Sequence, residues 1–272
     1  MDTKPHLIYH LYISNRFDPA VPPLVAVHGI QRRGELQAHR FAPYVEGIGG
    51  LLVAPSFDRA RFPDYQRLGR HGKGERSDLA LRRILEDVGG RTGGSYRKTV
   101  LFGYSGGGQF VHRYAMAYPR GVAAMAIAAP GWFTYPDPGI PFPEGIGPTA
   151  LLPDLRFDPA RFLKIPTLVL VGENDTARDA SLNRRRRIDR LQGKNRIARA
   201  RRWTEAMSAA ADAYGHSTPY GFRLLHGCGH SFSACMKTGR MGGDVIAFLY
   251  GQGQYEPSRR TADPQDPSGG HP

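Results

Sequence analysis

Cysteine is nearly missing from this chain of 272 residues: Cys228 and Cys235 are the two it has. Two thiols build no disulfide framework, and their spacing fits neither a C-x-x-C redox pair nor a zinc motif. They read as reduced, buried side chains. Long apolar runs are absent as well; no stretch reaches the ~18 residues a membrane-crossing helix needs. The opening MDTKPHLIYHLYISNRF holds no extended apolar core and no small-residue cleavage site. No secretory signal is therefore expected, and the chain reads as cytoplasmic. Neither H-E-x-x-H nor G-x-x-x-x-G-K-[ST] occurs, so neither a metal nor a cofactor is expected. Acidic residues are the last shortage. Against 37 Lys and Arg stand 24 Asp and Glu, a net charge of +13 with a pI near 10.0.

Much of that excess is local. Between Arg184 and Arg202 lie ten Lys and Arg against one acid, Asp189. Such a stripe attracts a polyanion or an anionic lipid surface. It reads equally as the solvated face of a helix pair whose apolar positions, Leu182, Ile188, Leu191, Ile197, Trp203 and Met207, pack inward. No nucleic-acid motif accompanies it, so nucleic acid is not expected as a partner.

What is present is enough apolar material, 40% of residues, for one large domain over residues 1–250. Residues 251–272 are polar and rich in Pro and Gly, and read as a disordered tail. Short apolar runs at His6–Ser14, Leu24–Val27, Leu51–Ala54, Thr99–Phe102, Ala124–Ala128, Pro166–Val171 and Phe222–Leu225 read as strands, the first one as part of a hairpin. Helical patterns fall between them. One runs from Ser77 to Val88, with Ser77 and Asp78 as caps and Gly89-Gly90 as its end. Others cover Gln109 to Tyr118, a pair broken near Gly193, and Gly243 to Tyr250. This alternation predicts an α/β fold, a mostly parallel central sheet with helices on both faces. Residues 131–158 cannot be one helix, with prolines at 136, 138, 141, 143, 148 and 153; they read as a Pro-rich excursion.

Sites on such sheets lie beyond the carboxyl ends of strands. Gly103-Tyr104-Ser105-Gly106-Gly107 stands there, between a strand and a helix, the context in which G-x-S-x-G forms a sharp turn that lifts a nucleophilic serine. A serine hydroxyl needs a base. His230, on a Gly-flexed loop after the last strand, is the first candidate; His226, at the strand end, is its rival and is expected to face the core. The imidazole needs an orienting carboxylate, for which Asp175 stands after a strongly apolar strand, with Glu173 and Asp179 as alternatives. An oxyanion would be met by the N–H of Gly106 and by that of Ile30 or Gln31, in the loop where His28 reads as a brace. Trp132, Phe133 and Phe142, with Tyr104, are the candidate substrate contacts. The excursion from Trp132 to Leu155 would form the wall and partial lid of an acyl or aryl pocket, unless the loop packs its aromatics on the domain's own core.

The order Ser105, Asp175, His230 differs from those of chymotrypsin-like and subtilisin-like enzymes. Together with the blocks VHG, APSFD…FPDYQRL, GYSGGGQF, LVLVGENDTARD and GCGHSF, the chain resembles α/β-hydrolase serine esterases over residues 6–250. Those blocks are similar to bacterial hydrolases described as polyhydroxybutyrate-depolymerase-like or feruloyl-esterase-like. The resemblance implies an α/β-hydrolase fold and hydrolysis of a small or oligomeric ester through an acyl-enzyme, without cofactor or metal. The secretory signal and separate polymer-binding domain of extracellular polymer degraders are not seen, and the short excursion stands where many relatives carry a helical cap. The alternative is a binding protein on this scaffold that holds a polyanion on the Arg184–Arg202 segment.

Overall fold

The computed structural model describes residues 7–94 and 96–251. The tail expected over residues 251–272 lies, from residue 252 on, outside them. The chain forms a seven-stranded sheet in the order β1-β3-β2-β4-β5-β6-β7. Its strands are β1 (Tyr9–Ile13), β2 (Leu24–Val27), β3 (Leu51–Pro55), β4 (Thr99–Tyr104), β5 (Val122–Ala128), β6 (Thr167–Gly172) and β7 (Tyr220–Leu225). All neighbours are parallel except β1, which runs antiparallel to β3. The first strand is thus no hairpin partner of β2, since β3 lies between them. Parallel pairing buries both faces of a strand, and β2, β3, β4 and β6 are buried at every position.

Alternate strand residues feed two cores. Val25, Val27, Leu101, Ile127 and Val169 pack with α2 (Ser77–Thr92), α3 (Gly106–Ala117) and α6 (Arg196–Ala213) on one face. Leu24, Ala26, Val100, Phe102 and Leu170 pack with α1 (Gly34–Gly47), α7 (Phe232–Lys237) and α8 (Met241–Tyr250) on the other. Helices α4 (Pro159–Phe162) and α5 (Arg186–Gln192) complete the order.

Several sequence expectations change. Helix α1 escapes sequence reading because Pro43 sits inside it and only Phe41 and Val45 give it large apolar buried positions. Helix α2 runs through Gly89-Gly90 to Thr92, and Gly93 in the left-handed conformation ends it. Its N-cap is Arg76, without a side-chain cap. Ser77 instead donates its hydroxyl to the Tyr65 carbonyl (2.9 Å), and Asp78 pairs with Arg76 and Tyr118. Gly193 does separate α5 from α6, at φ +108°.

The basic segment is not one solvated stripe. Leu182, Ile188, Trp203 and Met207 turn inward as expected, but Arg196 and Arg199 are fully buried with them. Asp189 accepts from both Arg199 and Arg178, each at 2.7 Å. Arg184, Arg185, Arg186 and Arg190 remain exposed, with no ion pair among the described residues.

Candidate active site

Parallel strands deliver their carboxyl ends to one edge, so His28, Ser105, Asp175 and His230 converge there. Ser105 joins β4 to α3 at φ 54°, ψ −112°, a strained conformation for a residue with a Cβ. The neighbours make the turn possible. A Cβ on Gly107 would collide with the Val27 carbonyl, and one on Gly103 with that of Gly107. The Ser105 N–H donates to the Ala128 carbonyl at 2.7 Å, which ties the turn to the end of β5.

The hydroxyl of Ser105 lies 3.1 Å from Nε2 of His230, and Nδ1 of His230 lies 2.7 Å from Oδ2 of Asp175. With the proton on Nδ1, that nitrogen donates to the carboxylate and Nε2 accepts from the serine. Asp175 is fully buried, while His230 keeps 18% of its side chain exposed. The two alternative acids are engaged elsewhere. Glu173 accepts from His226 Nδ1 and from the Gly227 N–H, both at 2.7 Å. Asp179 accepts from the N–H and hydroxyl of Ser181. His226 does not face the core; its side chain is 89% exposed, because the turn after β7 carries it past the sheet edge.

On the other side of Ser105, a Cβ built on Gly106 would lie 3.3 Å from the Ile30 nitrogen and 2.6 Å from the Tyr65 hydroxyl. The Ile30 main chain is therefore packed beside Gly106. His28 braces this loop. Its Nδ1 donates to the Gly29 carbonyl (2.9 Å), and its Nε2 accepts the Phe57 N–H (3.0 Å). The Tyr65 hydroxyl donates to the His28 carbonyl at 2.9 Å.

The aromatic candidates are placed differently from the expectation of a pocket wall. Phe133 is fully buried and stacked on Trp203 at 4.8 Å, and Gln192 pairs with both its N–H and its carbonyl. Phe142 is buried against Phe157. The indole of Trp132 is covered by the Arg113 guanidinium at 4.3 Å, with Arg67 at 5.6 Å. Tyr104 lies against the ring of His230, centroids 5.4 Å apart, and is itself buried. The excursion follows β5 onto an apolar surface made by α3 and α6, and large apolar side chains gain most by filling it. All four are buried in this structure, and of them Tyr104 packs on the His230 ring.

Two features escaped the sequence reading. Tyr65, in a short 3₁₀ turn at Tyr65–Arg67 within the block FPDYQRL, reaches the His28 loop, a role not read from the sequence. Arg196 reaches Asp175 from the start of α6 at 2.9 Å. A cation in the first turn of a helix opposes the helix dipole, and that misfit was the available signal. Among the described residues no group of His, Cys, Asp and Glu gathers as metal ligands would, and no helix is long and apolar enough to cross a membrane.

No protein-family model and no curated protein sequence matches the chain. Solved structures do. LpqC, a poly(3-hydroxybutyrate) depolymerase from Bordetella parapertussis, is 27% identical with TM-score 0.73, over 89% of this chain and 82% of its own. Poly(aspartic acid) hydrolase-1 from Sphingomonas sp. KT-1 is 23% identical with TM-score 0.74, over 90% and 93%. An acetyl xylan esterase from Aspergillus awamori shares the architecture at 14% identity and TM-score 0.54, over 88% and 93%. Strand order and these overlays agree that the chain has the α/β-hydrolase fold, and the proteins it overlays are esterases and hydrolases.

Proposed function

We propose that this protein is a serine hydrolase that cleaves a carboxylic ester through an acyl-enzyme. The observation that carries the proposal is the unbroken hydrogen-bond line from Ser105 through His230 to buried Asp175. Ser105 Oγ attacks the acyl carbon while Nε2 of His230 takes its proton, and the Asp175 carboxylate stabilises the imidazolium that forms. The negative oxygen of the tetrahedral intermediate is met by the N–H of Gly106 and by that of Ile30, whose nitrogen packs beside Gly106, or of Gln31. His230 then returns its proton to the departing alcohol, and water repeats the sequence on the acyl-serine to release the acid.

The depolymerase neighbour at 27% identity supports including an oligomeric ester among the substrates. The test is turnover of p-nitrophenyl esters of graded acyl length and of a 3-hydroxybutyrate oligomer by wild type and Ser105→Ala. A fall in kcat of about 10⁴ to 10⁶ with the fold intact is expected. Equal turnover by the variant overturns the proposal. The exposed Arg184, Arg185, Arg186 and Arg190 favour a second reading, in which the same scaffold holds a polyanion. Salt-dependent binding to a polyanion by a Ser105→Ala protein whose wild type turns over no ester would place that reading first.

A further inference from the structure

The line of hydrogen bonds does not end at Asp175. Its Oδ2 accepts from His230, and its Oδ1 accepts from Nη1 of Arg196 at 2.9 Å. Both side chains of this ion pair are 0% exposed. Nη2 of Arg196 is held in turn by the Ser181 hydroxyl at 2.6 Å and by Asp179 at 3.5 Å. Arg196 opens α6, where Asn195 is the N-cap and the first turn contains no acid. A guanidinium is disfavoured there twice, by burial and by the positive end of the helix dipole. Leucine or methionine would fill the space without either cost.

We propose that Arg196 is a positioning residue of the active site: its guanidinium fork fixes the plane of the Asp175 carboxylate so that Oδ2 faces Nδ1 of His230. The geometry gives the reason. A buried carboxylate held only by His230 could rotate about its Cβ–Cγ bond and exchange its oxygens. Held on Oδ1 by a planar donor anchored on Ser181, it presents one oxygen in one direction. The guanidinium also compensates the buried negative charge when His230 is neutral, between proton transfers. Arg196 touches no reacting atom and acts through Asp175. The inference rests on the acyl-enzyme reading above.

The experiment measures kcat and KM on p-nitrophenyl acetate for wild type, Ser105→Ala, Arg196→Met, Arg196→Lys, Asp175→Asn and Asp175→Asn/Arg196→Met, with folding followed by circular dichroism. Arg196→Met is expected to lower kcat about 100-fold with KM within twofold. Arg196→Lys, which keeps the charge but loses the fork, is expected to recover part of that loss and stay about tenfold below wild type. In the Asp175→Asn background, removing Arg196 should lower kcat less than twofold further, because it acts only through that carboxylate. The low-field proton resonance of His230 Nδ1–H should shift or broaden in Arg196→Met. Folded Arg196 variants with wild-type kcat, or an equal loss of kcat in both Asp175 backgrounds, overturn the proposal. Should Arg196→Met fail to fold, Arg196→Lys decides alone on the same kcat criterion. Loss of turnover in Ser105→Ala, with Arg196 variants unaffected, would reject the role of Arg196 and leave the acyl-enzyme standing. Undiminished turnover in Ser105→Ala would reject both.

Discussion

His28 shows how one side chain ties the loop after β2 to acid stability. It is almost wholly buried, and its Nε2 is used as an acceptor by the Phe57 N–H. Burial first, and the nearby Arg32 charge after it, lower its pKa to about 4, although the Gly29 carbonyl pulls the other way. In the unfolded chain the same imidazole takes up its proton near pH 6.5. The folded state is thus fully favoured above about pH 6.5 and loses up to about 3 kcal/mol as pH falls from there to about 4. Urea unfolding of wild type and His28→Gln across that range checks this. The variant should show a slope against pH shallower by up to about 1.4 kcal/mol per unit. Identical slopes would mean that another group carries the acid sensitivity. The cysteines lie near the site but are chemically quiet. Their sulfurs stand 3.4 Å apart, and burial pushes the Cys235 thiol up to about 12.

At the scale of elements, the excursion after β5 is fastened down and does not stand as a free lid. Gln192, at the end of α5 and fully buried, accepts the Phe133 N–H at 2.8 Å and donates to its carbonyl at 2.9 Å. Trp203 donates to the Thr134 carbonyl at 2.7 Å, and Arg199 donates to that of Gly131. Arg113, two turns along α3 from Ser105, donates to Thr134 and to the Gln66 carbonyl. Replacing Gln192 by Leu strands two buried main-chain groups, and about 3 kcal/mol of stability should be lost. Equilibrium unfolding in urea measures the loss, and kcat on a short ester should stay near wild type. A loss under about 0.5 kcal/mol would show that the excursion is held by something else.

For the whole molecule, charge is the distinguishing property. Arg184, Arg185, Arg186 and Arg190, exposed and without an ion pair among the described residues, follow Asp175 in the chain, after the carboxyl end of β6. A field of this kind raises the encounter rate of anionic substrates and is screened within about 8 Å at physiological salt. Between 50 and 500 mM salt, kcat/KM should therefore fall for an ester that carries a free carboxylate, such as a hemisuccinate. It should stay flat for its neutral methyl ester. Parallel salt responses of the two would place the patch outside the substrate's approach.

The fold class, the strand-and-turn setting of Ser105 and the chain order of the candidate residues were legible in the amino-acid chain alone. Each of these is local: period-two and buried apolar runs, glycines where a Cβ would collide, and short loops after strands. It also offered Glu173, Asp175 or Asp179 as the candidate orienting acid and His230 or His226 as the candidate base. Which of these candidates lie within hydrogen-bond reach of Ser105 and of each other depends on tertiary contacts, because a hydrogen bond between residues 125 positions apart in the chain requires loops from β4 and β7 to meet over the sheet. Burial of Phe133 and Phe142 was likewise undecided by composition, since an aromatic on a Pro-rich loop can line a pocket or fill a core equally well. The basic segment shows the same limit at its sharpest. Ten cations in a row of sequence look alike, and it is the helix face each one occupies that sends Arg196 inward to Asp175 and leaves Arg186 in water.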